Sequence, residues 1–323
     1  MIDQWGRNIH YLRVSITDRC NMRCRYCMPC GMPEIAHPEI LRYEEYLRIC
    51  KAAVAQGFTC FKITGGEPLV RKDAIEFMAA LKNLKGVHNV TITTNGYFLE
   101  AALPALIKAG IDGVNISLDT LDAAQFKRIT GVDAGTKVLS AIEASVKAGI
   151  RTKVNSVLLK ETKDQILPLA RLAKRLPVDM RFIEIMPIGY GRKFAGLSAD
   201  EALALVTREF PDLQPAHEKR GNGPATYFKS EALIGRIGMI AANSHRFCEA
   251  CNRMRLTSTG LLKPCLCYDA GIELKPILRS GSGDVDEALR QAFRRAVMQK
   301  PSGHCFDDLA TMTETKMMSQ IGG

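Results

Sequence analysis

The segment Cys20-Asn21-Met22-Arg23-Cys24-Arg25-Tyr26-Cys27 contains three cysteines in the spacing CxxxCxxC. It follows directly on a short β-rich run over residues 12–17. Three thiolates can hold three corners of a four-iron cluster and leave the fourth iron open for an external ligand. The spacing therefore predicts a reactive iron–sulfur cluster, and the alternative is a zinc site completed by Cys30.

A second motif, Gly65-Gly66-Glu67-Pro68, lies at the end of the next β-rich run. Glycines let a backbone approach a ligand closely, and βα proteins bind ligands at the carboxyl ends of their strands. Together with CxxxCxxC, this motif resembles the radical S-adenosylmethionine superfamily. The resemblance implies that the open iron chelates S-adenosylmethionine and that an electron from the cluster splits it to a 5′-deoxyadenosyl radical. The protein then has mainly to orient cofactor and substrate and to exclude water.

β-rich runs and helical segments alternate along the first two thirds of the chain. The β-rich runs lie at residues 12–17, 58–64, 90–94, 113–118, 152–159 and 179–185. Helical periods lie at residues 43–56, 72–85, 99–109, 135–148, 164–175 and 199–210. Because each crossover helix returns the chain to the same end of a sheet, we predict parallel strands. The pattern alone permits an open sheet or an incomplete barrel.

The alternation stops near residue 210, where several prolines and glycines follow one another. We therefore predict two domains, residues 1–210 and residues 211–323. One clear late helix is expected at residues 284–299, with Asp284 as its N-cap.

Composition and charge narrow the classes of protein. The 323 residues are 46% hydrophobic and 24% charged, as in globular proteins. The polar N-terminus and the lack of a long apolar stretch predict a cytoplasmic protein. A formal net charge of +10 favours an anionic partner, either a nucleic acid or a polyphosphate metabolite. No block of like charges is present, which argues against a nucleic-acid-binding tail.

A second cysteine group begins at Cys248-Glu249-Ala250-Cys251 and continues to Cys265. Zinc, with Cys267 or His245 as the fourth ligand, is one interpretation. A second iron–sulfur cluster is favoured because Arg253 and Arg255 follow directly, and such cations suit an anionic substrate.

The combined motifs resemble the GTP 3′,8-cyclase family, lyases that begin molybdenum cofactor biosynthesis. The resemblance covers essentially the whole chain, through residues 12–29, 63–68, 93–96, 115–119, 153–155, 181–186, 248–256 and 321–323. It implies an α/β fold: an incomplete (βα)6 TIM-like barrel with one 4Fe–4S cluster at each end of its channel. The irregular C-terminal region carries the second cluster.

The resemblance also implies roles for single residues. Cys20, Cys24 and Cys27 hold the cluster that cleaves S-adenosylmethionine, while Cys248, Cys251 and Cys265 hold one whose open iron meets guanine. The S-adenosylmethionine positions are Tyr26, Gly66, Ser117 and Met186. The GTP positions are Arg13, Lys62, Thr93, Lys153, Arg253, Met254 and Arg255, with Arg181 beside substrate or cofactor. The terminal Gly322 and Gly323 enter the active site and are needed for activity.

The chain departs from the family pattern on one strand. Lys62 stands where arginine is expected, and Cys60 where the family can carry a lysine. A point charge does not reproduce a planar fork, so the triphosphate contacts there are expected to differ. Cys50 and Cys60 fall on apolar faces and are interpreted as core residues. Cys30, Cys267 and Cys305 receive no role.

The implied reaction removes hydrogen from the ribose C3′, and the carbon radical then attacks guanine C8. The product is 3′,8-cyclo-7,8-dihydro-GTP. The implied partners are GTP, a reducing electron donor such as a flavodoxin system, and a downstream cyclic pyranopterin monophosphate synthase. A homodimer is compatible with the family, and neither nucleic acid nor membrane is expected as a partner.

Two other functions compete with this one. A radical enzyme with an auxiliary cluster that modifies a peptide would share the first cysteine group but would not need Arg253 and Arg255. A nucleic-acid-binding protein with two zinc sites would contain zinc and bind with a steep salt dependence.

Overall fold

The six predicted β-rich runs form neighbouring strands of one sheet. The computed structural model describes residues 1–31, 35–218, 220–281 and 283–322. The strands are β1 (Tyr11–Ser15), β2 (Cys60–Thr64), β3 (Asn89–Thr94), β4 (Gly113–Ser117), β5 (Thr152–Leu158) and β6 (Asp179–Glu184). Each pairs with the next in parallel, from Tyr11 opposite Cys60 to Leu158 opposite Glu184. The predicted parallel order is confirmed.

Helices connect these strands and cover the outside of the sheet. They are α1 (Tyr43–Ala55), α2 (Ala74–Lys82), α3 (Leu99–Lys108), α4 (Ala123–Thr130), α5 (Gly135–Lys147), α6 (Ile166–Ala170), α7 (Leu172–Arg175), α8 (Ala199–Glu209), α9 (Lys275–Leu278) and α10 (Val285–Met298). Asp284 caps α10 as predicted, since its carboxylate accepts from the N–H groups of Asp286 and Glu287. Helix α4 was not predicted, although Asp122 caps it in the same manner. Among the described residues, no helix is both long and apolar enough to cross a membrane.

The region after residue 210 extends the sheet at both edges. β9 (Arg236–Ile240) lies parallel beside β6, and β10 (Arg253–Leu256) lies parallel beside β1. Four short strands add antiparallel margins: β7 (Gln214–Ala216), β8 (Thr226–Lys229), β11 (Leu261–Lys263) and β12 (Ile272–Glu273). This region therefore contains more regular structure than its sequence pattern indicates. The division at residue 210 stays a prediction, because one sheet runs across it.

Alternation along the strands separates an apolar face from a polar one. The apolar face packs in the main hydrophobic core through Leu12, Val14, Phe61, Ile63, Val90, Ile92, Val114, Ile116, Val154, Met180 and Phe182. The polar face carries Arg13, Lys62, Thr91, Thr93, Asn115, Lys153, Asn155 and Arg181. These polar residues border one cavity together with Ile240 of β9 and Arg253 of β10. The sheet is therefore curved into an incomplete barrel with a polar interior, which decides between the two predicted architectures.

Candidate active site

The two cysteine groups lie at opposite ends of the barrel interior. Cys20, Cys24 and Cys27 follow the carboxyl end of β1, whereas Cys248 and Cys251 precede the amino end of β10. Since β1 and β10 are parallel neighbours, these are opposite ends of the barrel. Cys265 follows β11, which is antiparallel to β10, and so joins the second group. All six cysteines border one cavity of about 400 Å³.

The first cysteine group is buried and electrostatically unfavourable for bare thiolates. Burial and the neighbouring Cys27 and Asp119 raise the pKa of Cys24 well above its ordinary value. Burial and the nearby Cys20 raise the pKa of Cys27 to about 12. All three thiols are free. A positively charged iron centre would offset this repulsion, so the donor set fits a cluster bound through three thiolates.

The glycines of the second motif pack against the loop that leads to Cys20. A Cβ atom on Gly65 would lie 2.4 Å from the carbonyl oxygen of Thr17, and one on Gly66 would lie 2.4 Å from that of Arg19. The N–H of Gly66 donates to Thr17 O at 2.8 Å. Both positions require glycine because the chain's own backbone approaches them. Gly66 also borders the cavity, so its predicted contact with S-adenosylmethionine stays a prediction.

Glu67, which sequence reasoning passed over, positions this end of the barrel. Its fully buried carboxylate accepts from Asn95 N at 2.6 Å and from Thr94 Oγ1 at 2.8 Å. Burial raises the pKa of Glu67 to about 7. Asn95 Nδ2 in turn lies 3.7 Å from Cys20 Sγ and 2.9 Å from Asn21 Oδ1. Glu67 thus acts on the first cysteine group through Asn95.

The other predicted S-adenosylmethionine residues gather around the first cysteine group. Tyr26 donates from its hydroxyl to Asp119 Oδ2 at 2.6 Å, and Val157 N donates to the other carboxylate oxygen at 2.8 Å. Burial raises the pKa of Asp119 to about 6. Ser117, the last residue of β4, and Met186, which follows β6, border the same cavity. The structure brings these residues together, and their contacts with a cofactor stay predictions.

Cations dominate the middle of the cavity. Nine lysines and arginines among the described residues border it, against two carboxylates, Asp119 and Glu184. Arg13 lies in register with Lys62 on one side and with Arg255 on the other. Burial and the surrounding arginines lower the pKa of Lys62 well below its ordinary value. Four of the nine cations are buried, namely Lys62, Lys153, Arg181 and Lys300. Positive charge of this density calls for an anionic ligand.

Buried donor atoms point to the same conclusion. The Nε atoms of Arg181 and Arg253 are buried and have no hydrogen-bond partner within the ranges that the structure describes. An orphaned donor in a cavity is satisfied when a ligand supplies an acceptor. Thr93 also borders this region from β3. Met254 differs from its neighbours, because its side chain is buried in the hydrophobic core on the face of β10 opposite the arginines.

Lys153 is a cation of the cavity that pairs with a carboxylate of the chain itself. Its Nζ lies 2.9 Å from Asp179 Oδ2 and donates to the hydroxyl of Tyr227 at 2.7 Å and to the carbonyl oxygen of Arg220. Asp179 also pairs with Arg220 at 2.8 Å. Arg220, which sequence reasoning missed, is therefore a further cation of the site.

The second cysteine group has the opposite electrostatics. Burial raises the pKa of Cys251, but Lys300 and Arg253 outweigh it, and the net pKa is lowered. A hydrogen bond with Cys267 and the nearby Lys300 lower the pKa of Cys265 to about 6. Cations beside these thiols favour the thiolate that binds a metal. The donor set fits a second cluster. Of the two alternative zinc ligands, His245 lies instead against Asp200, with 2.9 Å between Nε2 and Oδ2, whereas Cys267 Sγ lies 3.7 Å from Cys265 Sγ.

The remaining cysteines divide into four environments. Cys50 lies in the main core, as predicted. Cys60 is buried too, but it alternates with Phe61 and so lies on the polar face that carries Lys62. Cys267 and Cys305 lie in a small apolar cluster with Ile188, Met312 and Ile321. Cys30 is exposed, with its sulfur 3.2 Å from the hydroxyl of Tyr190. Among the described residues, no three His, Cys, Asp or Glu side chains could hold a single metal ion.

The end of the chain reaches the cations of the cavity. The carbonyl oxygen of Gly322 accepts from Arg255 Nη1 at 2.5 Å and from Arg13 Nη2 at 3.4 Å. Gly322 has φ of 76°, a conformation that favours glycine. Its predicted position in the site agrees with this geometry, whereas the need for it in activity stays a prediction. Gly323 lies outside the described residues.

Arg7 is a further residue that sequence reasoning missed. It pairs with the buried Asp3 at 2.7 Å and donates to the carbonyl oxygens of Cys248 at 2.9 Å, Ser302 at 3.0 Å and Pro301 at 2.6 Å. One buried guanidinium thus ties the N-terminal segment to the loop of the second cysteine group.

Replacing Arg7 with methionine should therefore release the second cysteine group. Loss of these bonds leaves Asp3 buried without its ion-pair partner, and the free energy of unfolding should fall by about 3–5 kcal/mol. With one four-iron cluster in each cysteine group, iron per chain would fall from about eight atoms to about four. Iron analysis and thermal unfolding of reconstituted protein measure both. Lys82→Met, which breaks an ion pair with Asp112 elsewhere, should keep the full iron content. An Arg7→Met protein that keeps about eight iron atoms would contradict the role of Arg7 in holding the second cysteine group.

Comparison with known proteins identifies the class and then the family. A model described as the Radical SAM superfamily matches residues 14–173, and one described as Molybdenum Cofactor Synthesis C matches residues 178–306. Streptococcus suis SuiB, solved bound to S-adenosylmethionine, shares the fold with a TM-score of 0.67 over 98% of this chain and 76% of that one, at 17% identity. The fold and the family models thus define a radical S-adenosylmethionine protein.

Full-length relatives give the narrower grouping. The GTP 3′,8-cyclases of Heliobacterium modesticaldum and Moorella thermoacetica are 42% and 41% identical to this chain, and that of Clostridium perfringens strain SM101 is 39% identical. Each comparison covers 100% of this chain and 100% of the relative. The chain belongs to the GTP 3′,8-cyclase family.

Proposed function

We propose that this protein is a lyase that converts GTP into 3′,8-cyclo-7,8-dihydro-GTP, the first step of molybdenum cofactor biosynthesis. The observation that carries the proposal is a single cavity with a cysteine group at each end and buried cations between them. GTP has a guanine at one end and a triphosphate at the other, so it matches a site with two distinct recognition regions. Membership of the family supports the same substrate.

Two clusters and S-adenosylmethionine would supply the radical chemistry. Cys20, Cys24 and Cys27 would hold one cluster, Cys248, Cys251 and Cys265 would hold the other, and Tyr26, Gly66, Ser117 and Met186 would position S-adenosylmethionine. With these groups bound, the site would generate the 5′-deoxyadenosyl radical that removes hydrogen from the ribose C3′.

The chain's own residues would bind and orient the substrate. Arg13, Lys62, Arg181, Arg253 and Arg255 would face the phosphates, and Thr93 would add a hydroxyl. Charge-assisted hydrogen bonds of this kind are about twice as strong as neutral ones. Lys153 would contribute less net charge than the others because Asp179 balances it. Met254 would take part only through its main chain, since its side chain is in the core.

The apolar rim would protect a radical from water. Met28, Ile185, Ile188 and Leu266 border the cavity near its cysteine groups. Excluding water prevents side reactions of a reactive intermediate. A cavity enclosed by a barrel wall serves this purpose better than an open cleft.

The function has two further requirements that we propose on the family resemblance. An electron donor, such as a flavodoxin system, would reduce the first cluster, and a cyclic pyranopterin monophosphate synthase would consume the product. A peptide as substrate is not favoured, because a neutral chain does not require this many buried cations.

Anaerobic incubation of iron-reconstituted protein with S-adenosylmethionine, GTP and dithionite tests the proposal. Mass spectrometry should detect 5′-deoxyadenosine and a cyclised GTP, both dependent on GTP for full rate. Formation of 5′-deoxyadenosine with GTP unchanged would mean that the substrate is wrong. A zinc-containing, colourless protein that binds nucleic acid would overturn the class as well.

A further inference from the structure

One fully buried ion pair lies outside the residues used so far. Lys263 and Glu314 have side chains with 0% exposure, and the ammonium of Lys263 donates to the carboxylate of Glu314. The same ammonium donates to the carbonyl oxygen of Tyr268 at 2.5 Å. Lys263 ends β11, where it lies opposite Arg255 of β10. The pair therefore sits one strand away from a cation of the cavity.

Glu314 fixes the chain at this point from several directions. Its N–H donates to the carbonyl oxygen of Cys267 at 3.2 Å, and its own carbonyl oxygen accepts from Arg192 Nη2 at 2.9 Å. Its carboxylate also accepts from Lys316 N at 2.8 Å, which shapes the turn that follows. We call residues 314–322 the C-terminal tail.

The C-terminal tail then crosses the cavity. Met318 and Ser319 border it, and the backbone N–H of Ser319 interacts with the thiol of Cys27 in the first cysteine group. At its far end, Gly322 accepts from Arg255 and Arg13. Lys263 and Arg255, which are cross-strand neighbours, thus hold the beginning and the end of the same segment.

We propose that the Lys263–Glu314 ion pair is a positioning pair that sets how far the C-terminal tail enters the cavity, and that it thereby orients Arg13 and Arg255 toward an anionic substrate. Two buried charges cost desolvation free energy, and an apolar pair of similar volume would stabilise the fold at least as well. The charges instead fix the position of the tail along β11, because Glu314 is the one acidic residue in segment 314–322 and therefore the one that can form an ion pair with Lys263. A segment fixed a few residues from its end keeps that end at a high effective concentration near its binding site.

Hydrogen exchange of the intact, iron-loaded protein tests the position of the tail without reference to turnover. Glu314→Gln keeps the shape of the side chain but removes its charge. Amide exchange over residues 315–322 should rise by about tenfold or more, while β1 to β6 keep the protection of the wild type. Lys82→Met is the matched control, and it should leave the tail protected. Unchanged exchange in the Glu314→Gln tail would overturn the proposal.

The effect on the site itself, which rests on the proposed function, is tested by a double-mutant cycle. In the full chain, Glu314→Gln should weaken GTP binding by about tenfold. In a chain that ends at residue 317, the same substitution should change GTP affinity by less than about twofold, because Ile321 and Gly322, whose carbonyl oxygens accept from Arg255, are absent. An equal loss of GTP affinity in the full and the truncated chain would mean that the ion pair stabilises the fold but does not position the tail.

A second variant keeps the test decisive where Glu314→Gln fails to fold. Lys263→Met combined with Glu314→Leu replaces the pair by apolar side chains and should keep the thermal stability while increasing tail exchange. If no variant or wild-type protein binds GTP, the proposed substrate fails, but the exchange measurement still decides the role of the pair. Wild-type tail protection in this double variant would contradict it.

Discussion

Cys248→Ser should leave cleavage of S-adenosylmethionine largely intact and abolish conversion of GTP. Cys248 lies before the amino end of β10, whereas Cys20, Cys24 and Cys27 follow the carboxyl end of β1. The first group is held by Asn95 and Glu67, and within the described part of the chain none of their hydrogen bonds involves the loop of Cys248. Iron should fall from about eight to about four atoms per chain. Iron analysis with quantification of 5′-deoxyadenosine and cyclised GTP measures the result.

Two matched cysteine variants sharpen this test. Cys24→Ser should abolish both activities, because it removes a thiolate from the cluster proposed to bind S-adenosylmethionine. Cys30→Ser should abolish neither, since Cys30 is exposed and contacts Tyr190. Equal loss of both activities in Cys248→Ser would refute the division of labour between the two cysteine groups. Loss in Cys30→Ser would reopen the alternative in which that residue completes the first site.

Lys62→Met should weaken GTP binding by roughly ten- to a hundredfold and yet stabilise the ligand-free protein. A hydrogen bond to a charged group contributes about 1.5–3 kcal/mol, which corresponds to that range of affinity. In the absence of ligand, Lys62 is buried beside Arg181 and Arg13. Burial and the two neighbouring positive charges both disfavour the charged form of Lys62. Calorimetric GTP titration and thermal unfolding of the same protein measure the two opposite changes. A lowered melting temperature in Lys62→Met would contradict the electrostatic interpretation.

The same residue predicts a pH dependence with a definite sign. Because the pKa of Lys62 is lowered in the folded state, the unfolded chain binds more protons between that lowered pKa and about 10.4. Stability of the ligand-free protein should therefore rise with pH in this window. GTP affinity should fall, since the phosphates require the ammonium form. Lys62→Arg, which stays charged, is the control: its GTP affinity should depend less on pH, and identical slopes for the two proteins would count against Lys62 as the titrating group.

Six strands and most helices could be predicted because each strand is a short β-rich run and the segments between them carry a helical period. The strands β9 and β10 could not be predicted in the same manner. β10 reads Arg253-Met254-Arg255-Leu256, and its arginines look like a solvated face although they lie inside the barrel. A polar barrel interior thus hides a buried strand from a hydrophobicity pattern.

The cysteine groups and strand cations could be proposed from spacing and resemblance, whereas the residues that hold them could not. Arg7 and Cys248, or Lys263 and Glu314, are brought together by the fold across long stretches of sequence. Such pairs leave no local signal, because Arg7, Lys263 and Glu314 each look alone like an ordinary surface charge. Glu67 is an exception, because it stands inside a recognised motif. What the sequence does not show is that its carboxylate is fully buried.

The pairing of β1 with β10 joins two segments that are far apart in the sequence and are therefore made at different times during synthesis. During synthesis β1 acquires its neighbour β2 early, but its other edge has no partner until residue 253 has been made. A strand edge left open in a nascent chain is prone to pair with other chains. The same late segment contains the second cysteine group. It also contains the strand that closes this side of the cavity. A truncated chain that contains Cys20, Cys24 and Cys27 but ends before residue 253 would therefore leave one edge of β1 unpaired and lack the strand that lies between the cysteines of the second group.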